Sequence, residues 1–379
     1  LRPVHYLDHA ATTPMRPEVW EAMRPYALDV FGNASGSHAI ARAARNALEE
    51  ARERCAALIG ARPNEVVFTS GGTESDNLAV QGVVLAEDDG GLVTTGIEHE
   101  AVLETAAFLE SLGREVTLVD PEANGVIEPA AIELAMSRST ALVSVMLANN
   151  ETGILQPVAD LAARFRSKGI DVPIHTDAVQ AFGSERIDVD RLGVDLLSIA
   201  GHKVGGPKGI GLLYARSGIR PESVLHGGGQ EQGRRPGTVN VMGAVGLAVA
   251  MERTVDDRSR FTRRVGAERD AFEAALRVGL PSIAVTGTDL DRLPSHSHVR
   301  IPGIDQQTAL IRLDRAGVAA SAGSACSSGA ANTSHVLLAM GMGTTEARTA
   351  LRFSFGWTTK VGEGAEAASV VIDALGGPR

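Results

Sequence analysis

Residues 321–330 read SAGSACSSGA, with Cys326 in the middle. A thiol set among Gly, Ala and Ser has little apolar side chain to fix it and much backbone freedom. Whether it is reactive or inert depends on surroundings that stabilise the thiolate. The other cysteine, Cys55, stands differently. Ala44, Leu48, Ala51, Cys55 and Leu58 recur at steps of four and three, one apolar face of a helix. Cys55 is therefore expected in the core, where free cysteines usually lie. Two distant cysteines with no CxxC give neither a disulfide framework nor a zinc site, and they suit a reducing cytoplasm.

Three further stretches carry ionisable groups. In PIHTDAVQAF, Asp177 and Gln180 follow an apolar run; in DLLSIAGHKVGGPKGIG, His202 and Lys203 follow the next one. Taken singly, Asp177 is a helix cap and Lys203 a solvated loop lysine as readily as anything else. In FTSGGTESDN a Gly–Gly turn leads into a helix. Thr73 and Asp76 have the spacing of a capping box, and the same helix start would suit an anion. No G-K-[ST] follows, so this is not a P-loop. The SHSH at 295–298 offers two histidines but no third ligand, and reads as strand or loop.

These groups must be held by elements. From residue 65 short apolar runs alternate with helical patterns: EVVFTSG, GLVTTGIEH, EVTLVD, ALVSVMLANNE, VPIHTDA, DLLSIAGHK and GIGLLYAR. Such alternation indicates βαβ units and a mainly parallel sheet, with ligands at the carboxyl ends of the strands. A charged helix is expected from Val241 to about Val278. Shorter elements then follow, with helices near 304–316, 333–341 and 362–375. The expected division is a large domain, 15–250, and a smaller α+β domain made of 1–14 and 251–379. The chain has 379 residues, 44% of them hydrophobic, and a net charge of −10 with 4% aromatics. That balance supplies no general field or stacking platform for nucleic acid, so no direct nucleic-acid binding is expected. No apolar run is long enough to span a bilayer, and the first residues lack the apolar core of a secretory signal.

Together the strand-end residues narrow the chemistry. A carboxylate after one strand, a lysine after the next and a phosphate-suited helix start upstream match pyridoxal 5'-phosphate. That cofactor needs a lysine Schiff base, a carboxylate on its ring nitrogen and a phosphate cup. The ordered set YLDHAATTP, FTSGGTESDN, EH at 98–99, NNETG, HTDAVQ, GHKVGGPKGIG, GGGQEQGRRPGT, SAGSACSSG and LRFSFG spans nearly the whole chain. It resembles the cysteine desulfurases of the NifS/IscS group, within the class V aminotransferases.

The resemblance implies a fold type I pyridoxal-phosphate architecture, α/β, with a mainly parallel seven-stranded sheet, and a homodimer. It implies that Lys203 forms the Schiff base and moves protons. Asp177 binds the ring nitrogen and Gln180 the ring hydroxyl. Gly72, Thr73 and His202 hold the phosphate, joined by Thr238 from the other subunit. His99 stacks on the ring, and Asn150 and Arg352 hold the substrate carboxylate. Family members often carry Ser two residues before the motif histidine; here it is Ala200, one hydroxyl fewer at the phosphate. The implied reaction converts L-cysteine to L-alanine and leaves a persulfide on Cys326. The sulfur then passes to an acceptor protein, for iron–sulfur assembly, tRNA thiolation or DNA phosphorothioation. A short tail after VVIDALGGPR tilts the expectation toward a dedicated acceptor. The alternatives are a selenocysteine lyase, and a cysteine hydrolase built from Cys326, His99 and Asn150, which would leave Lys203 and Asp177 without work.

Overall fold

The computed structural model describes residues 5–323 and 333–376. In chain order its strands are β1 (His5–Tyr6), β2 (Val66–Thr69), β3 (Gly91–Thr95), β4 (Val116–Val119), β5 (Thr140–Ser144), β6 (Ile174–Asp177), β7 (Leu196–Ala200), β8 (Gly211–Ala215), β9 (Ala284–Val285), β10 (His296–Arg300), β11 (Val318–Ala319) and β12 (Ala350–Ser354). The helices are α1 (Pro17–Leu28), α2 (Ala39–Leu58), α3 (Gly72–Leu85), α4 (Glu100–Ser111), α5 (Pro129–Ala135), α6 (Val158–Lys168), α7 (Val189–Leu192), α8 (Val241–Gly279), α9 (Gln306–Ala316), α10 (His335–Ala339), α11 (Thr344–Ala347) and α12 (Glu363–Leu375).

Seven strands form one sheet in the order β2-β8-β7-β6-β5-β3-β4. Its pairings are parallel except around β8, which runs antiparallel to both β2 and β7. Consecutive strand residues point to opposite faces, so a strand covered on both sides must be apolar throughout. Val93, Val143, Leu197 and Leu212 enter one core. Their neighbours Leu92, Leu142, Leu196 and Leu213 enter the other, with Leu78 and Val83 of α3. That is why these strands read as solid apolar runs.

A smaller core is built from Leu7, Val299, Leu351, Phe353 and Val371. Phe272 packs there against Phe353 and Phe355 at centroid distances of 4.9 and 5.6 Å. Such ring pairs contribute roughly 0.5–1.5 kcal/mol each beyond their buried area. One helix joins the two cores. Ala244, Leu247 and Met251 of α8 lie in the larger, and Val265, Phe272 and Leu276 in the smaller. The chain's beginning returns to its end, with β1 pairing in parallel with β11 and Asp8 bridging to Ser354 on β12. The segment after β1 is thereby laid across the carboxyl ends of the large sheet, where Thr13 donates its N–H to the His202 carbonyl at 3.1 Å.

Candidate active site

Asp177 closes β6, and Lys203 follows β7 in a single 3-10 turn, Gly201–Lys203. The two strands are parallel neighbours, Asp177 in register with Ser198, so the carboxylate and the amine emerge side by side. Asp177 is buried, and its Oδ1 accepts from the N–H of Val179 at 2.8 Å. Burial raises its pKa, while His99 and Lys203 pull it down. A buried carboxylate of this kind calls for a cationic partner. Lys203 donates from Nζ to the Ala10 carbonyl, and Gln180 Nε2 donates to the same oxygen at 2.9 Å.

His99 is the N-cap of α4. Its Nδ1 accepts from the N–H of Ala101 at 3.0 Å. An amide can only donate, so Nδ1 carries the lone pair and Nε2 is the edge left for chemistry. Burial lowers its pKa, with Lys203 acting in the same direction and Asp177 against it. His202 pairs through Nδ1 with the Thr12 hydroxyl at 3.2 Å, and burial brings its pKa down to about 4. Burial thus favours the neutral form of both imidazoles.

The helix start differs from the capping box expected of Thr73 and Asp76. Gly71 is the N-cap of α3, and no side chain caps it. Thr73 is the second helical residue and exposed. Asp76 is turned inward, its Oδ1 3.6 Å from Nε2 of the buried His175. Glu74 instead reaches back to the Ser70 N–H at 2.8 Å. The helix begins right after the turn that ends β2, so Thr73 lies two residues past the Gly71 N-cap, already inside the first turn, and cannot cap it. An α3 start without a side-chain cap keeps its first N–H groups for an anion. Gly72 lies against β7: a Cβ there would be 2.9 Å from Val179 Cγ2 and 3.6 Å from the Ala200 Cβ. Position 200 thus borders the helix start.

Arg352, on β12, is buried and held on two sides. It donates to the Asn150 carbonyl and to Asp8 Oδ1, each at 2.9 Å. Its Nε and the Asn150 Oδ1 are buried with no hydrogen-bond partner among the described residues. Arg352 thus keeps one buried donor, and Asn150 one buried acceptor, without a protein partner among the described residues.

Thr238 is exposed, in a loop fixed from behind. Glu231 takes two 2.7 Å bonds from Arg52 and one of 2.9 Å from the Phe68 N–H. Arg235 donates to Glu74 at 2.8 Å. Cys326 lies outside the described residues. Cys55 is fully buried on α2, and burial pushes its thiol up to about 12, so it is inert near neutral pH. His296 and His298 belong to β10 and are buried. His298 Nδ1 meets the Thr286 hydroxyl at 2.9 Å. Among the described residues no group of three or more His, Cys, Asp or Glu could hold a metal.

The sequence signal of class V aminotransferases covers residues 5–363. The cysteine desulfurase IscS of Dictyoglomus turgidum is 42% identical over 94% of this chain and 90% of its own length. The chain belongs to the class V aminotransferases, among the cysteine desulfurases. A solved NifS-like protein superposes with a TM-score of 0.91 at 34% identity, covering 98% of this chain and 99% of that one. A structure described as SspA in complex with cysteine gives 0.82 at 38% identity, over 93% and 98%. This desulfurase carries four contacts that the reading of motifs left without a role: Asp8 on Arg352, the Ala10 carbonyl on Lys203, Thr12 on His202, and Asp76 beside His175. The first three all come from YLDHAATTP, a signal present in the sequence but with no chemistry attached to it.

Proposed function

We propose that the protein uses pyridoxal 5'-phosphate to remove sulfur from L-cysteine, releasing L-alanine and holding the sulfur as a persulfide on Cys326. The observation that carries this reading is the emergence of Asp177 and Lys203 side by side from β6 and β7, in a chain kin to cysteine desulfurases. The cofactor fits the residues present. The α3 start lacks a side-chain cap, Gly72 allows close approach, and the buried Asp177 carboxylate matches a protonated ring nitrogen. Gly72, Thr73 and His202 would hold its phosphate with Thr238 of the second subunit, and Gln180 its ring hydroxyl. When bound, it supplies an electron sink for a carbanion on the amino acid.

The chain's own residues do the rest. Arg352 and Asn150 bind the carboxylate of L-cysteine and fix the amino acid in one orientation. Lys203 holds the cofactor, then takes and returns the proton on the substrate's α-carbon. His99 covers the ring and presents Nε2 to assist that transfer. The Cys326 thiolate attacks the substrate sulfur: the carbon–sulfur bond breaks as a sulfur–sulfur bond forms, and the carbon gains a proton to become alanine. The outer sulfur then passes to a thiol of an acceptor protein. The enzyme acts as a homodimer, in the cytoplasm, without binding nucleic acid itself. Among the described residues no helix is long and apolar enough to cross a membrane.

Cys326→Ser tests the assignment. A serine hydroxyl is a poor attacker of sulfur, so the variant should bind cofactor and show the spectral change on adding cysteine, yet release no alanine. Normal alanine release from this variant would overturn the role of Cys326.

A further inference from the structure

Glu151 is completely buried, and the chemistry above leaves it unused. It follows Asn150 in the NNETG turn, which Asn149 shapes. The Asn149 Oδ1 accepts from the N–H groups of Glu151 and Thr152 at 3.0 and 2.9 Å. Its amide donates to the Ile97 carbonyl at 2.9 Å. Held in this way, the carboxylate reaches both ends of residues 324–332. On the far side, Ser334 donates its hydroxyl to Glu151 Oε2 while capping α10 through the Leu337 N–H at 3.2 Å. On the near side, Gly323 (φ 68°) lies so close that a Cβ would stand 3.2 Å from Glu151 Oε1 and 3.3 Å from Oε2. The same near end is tied to the substrate arginine, since Ser321 and Arg352 exchange backbone hydrogen bonds of 2.7 and 3.1 Å.

A fully buried carboxylate is costly, the more so when Oε1 finds no hydrogen-bond partner among the described residues. Filling this place with an apolar side chain would cost less. The group is explained if its position matters more than its solvation. We propose that Glu151 is a positioning residue that pins the entry and exit of the Cys326 segment to the turn carrying Asn150. The reach of the thiol is then set relative to the substrate carboxylate. This rests on Cys326 being the sulfur acceptor.

The holoenzyme tests it in four forms: Glu151→Ala, Glu151→Gln, Ser334→Ala, and the double variant Glu151→Ala with Ser334→Ala. Three quantities are read: the spectral midpoint for cysteine binding, single-turnover alanine release, and the rate of iodoacetamide labelling of Cys326. Glu151→Ala should keep the midpoint and lose alanine release by roughly ten- to a hundredfold, the penalty of a misplaced reacting group. Labelling of Cys326 should speed up once Gly323 and Ser334 lose the carboxylate between them. Glu151→Gln keeps an acceptor for Ser334 and should recover most of the rate. The double variant should be no slower than Glu151→Ala. Unchanged alanine release in Glu151→Ala, or a Ser334→Ala penalty that adds in full on top of it, overturns the proposal. Should Glu151→Ala not fold, Ser334→Ala with unaltered release and labelling overturns it equally. Normal turnover by Cys326→Ser would instead remove the reading beneath it, whatever the Glu151 variants do.

Discussion

At the scale of single residues, the site works by opposing environments. Lys203 is delivered by an apolar strand to a place where its ammonium meets the Ala10 backbone carbonyl, close enough to Asp177 and His99 to shift their titration. Lys203→Ala should yield a colourless protein with no cofactor fixed to the chain after borohydride. Peptide mass spectrometry checks this, and a pyridoxyl adduct on another lysine of the wild type would exclude Lys203. Glu98 carries a pH signature. It is buried behind His99, takes the Thr95 hydroxyl and Met146 N–H on Oε1, and burial pushes its pKa up to about 8. The folded state therefore holds a proton that the unfolded chain releases at the ordinary carboxylate value. Its stability contribution is full below that value and is lost as pH rises through about 8. Glu98→Gln, neutral at every pH, should gain in melting temperature over wild type between about pH 5 and about pH 9. A difference that stays constant with pH would show that Glu98 is ionised in the fold.

At the scale of elements, the phosphate-suited end of α3 is set by contact with its neighbours more than by its own sequence. Gly211 on β8 passes so close to the turn that a Cβ would stand 2.8 Å from Gly71 Cα and 2.7 Å from the Ile199 carbonyl oxygen. Both are backbone atoms of packed elements, so neither gives way cheaply. Gly211→Ala should displace the Gly71–Gly72 turn, costing roughly 1–3 kcal/mol as overpacking does and weakening cofactor affinity. A titration of cofactor into apoprotein reads this, and unaltered affinity with lowered stability would separate the turn from the phosphate. The Arg52–Glu231 pair acts on the loop of Thr238 in the same manner, anchoring it from within while its tip stays exposed.

At the scale of the whole molecule, α8 belongs to both cores, so the proposed division at residues 250 and 251 falls inside a continuous helix. The two bodies share packing and no loose linker separates them. Thr238 is exposed on the single chain. If Thr238 serves the phosphate of the second subunit, a hybrid of Lys203→Ala and Thr238→Ala subunits holds one site with both lesions and one with neither. Mixing the two impaired parents should then restore activity from one site per hybrid. Verified hybrids that stay as inactive as their parents would mean that each subunit completes its own site.

Sequence alone determined the sheet and the reacting groups that leave it. A strand buried on both faces has to be apolar, and Asp177 and Lys203 stand out because they end such runs. Cys55 was legible in the same way, from the spacing of one helix face. The capping box was misread because the start of α3 depends on where β2 meets β8, which local spacing does not encode. Only the tertiary structure decided the contacts that span the chain. Asp8 on Arg352, the Ala10 carbonyl under Lys203, Arg52 on Glu231 and Ser334 on Glu151 each join residues more than 170 positions apart. A backbone carbonyl has no signature in a sequence. An ion pair can be recognised only once packing has chosen which two elements are neighbours.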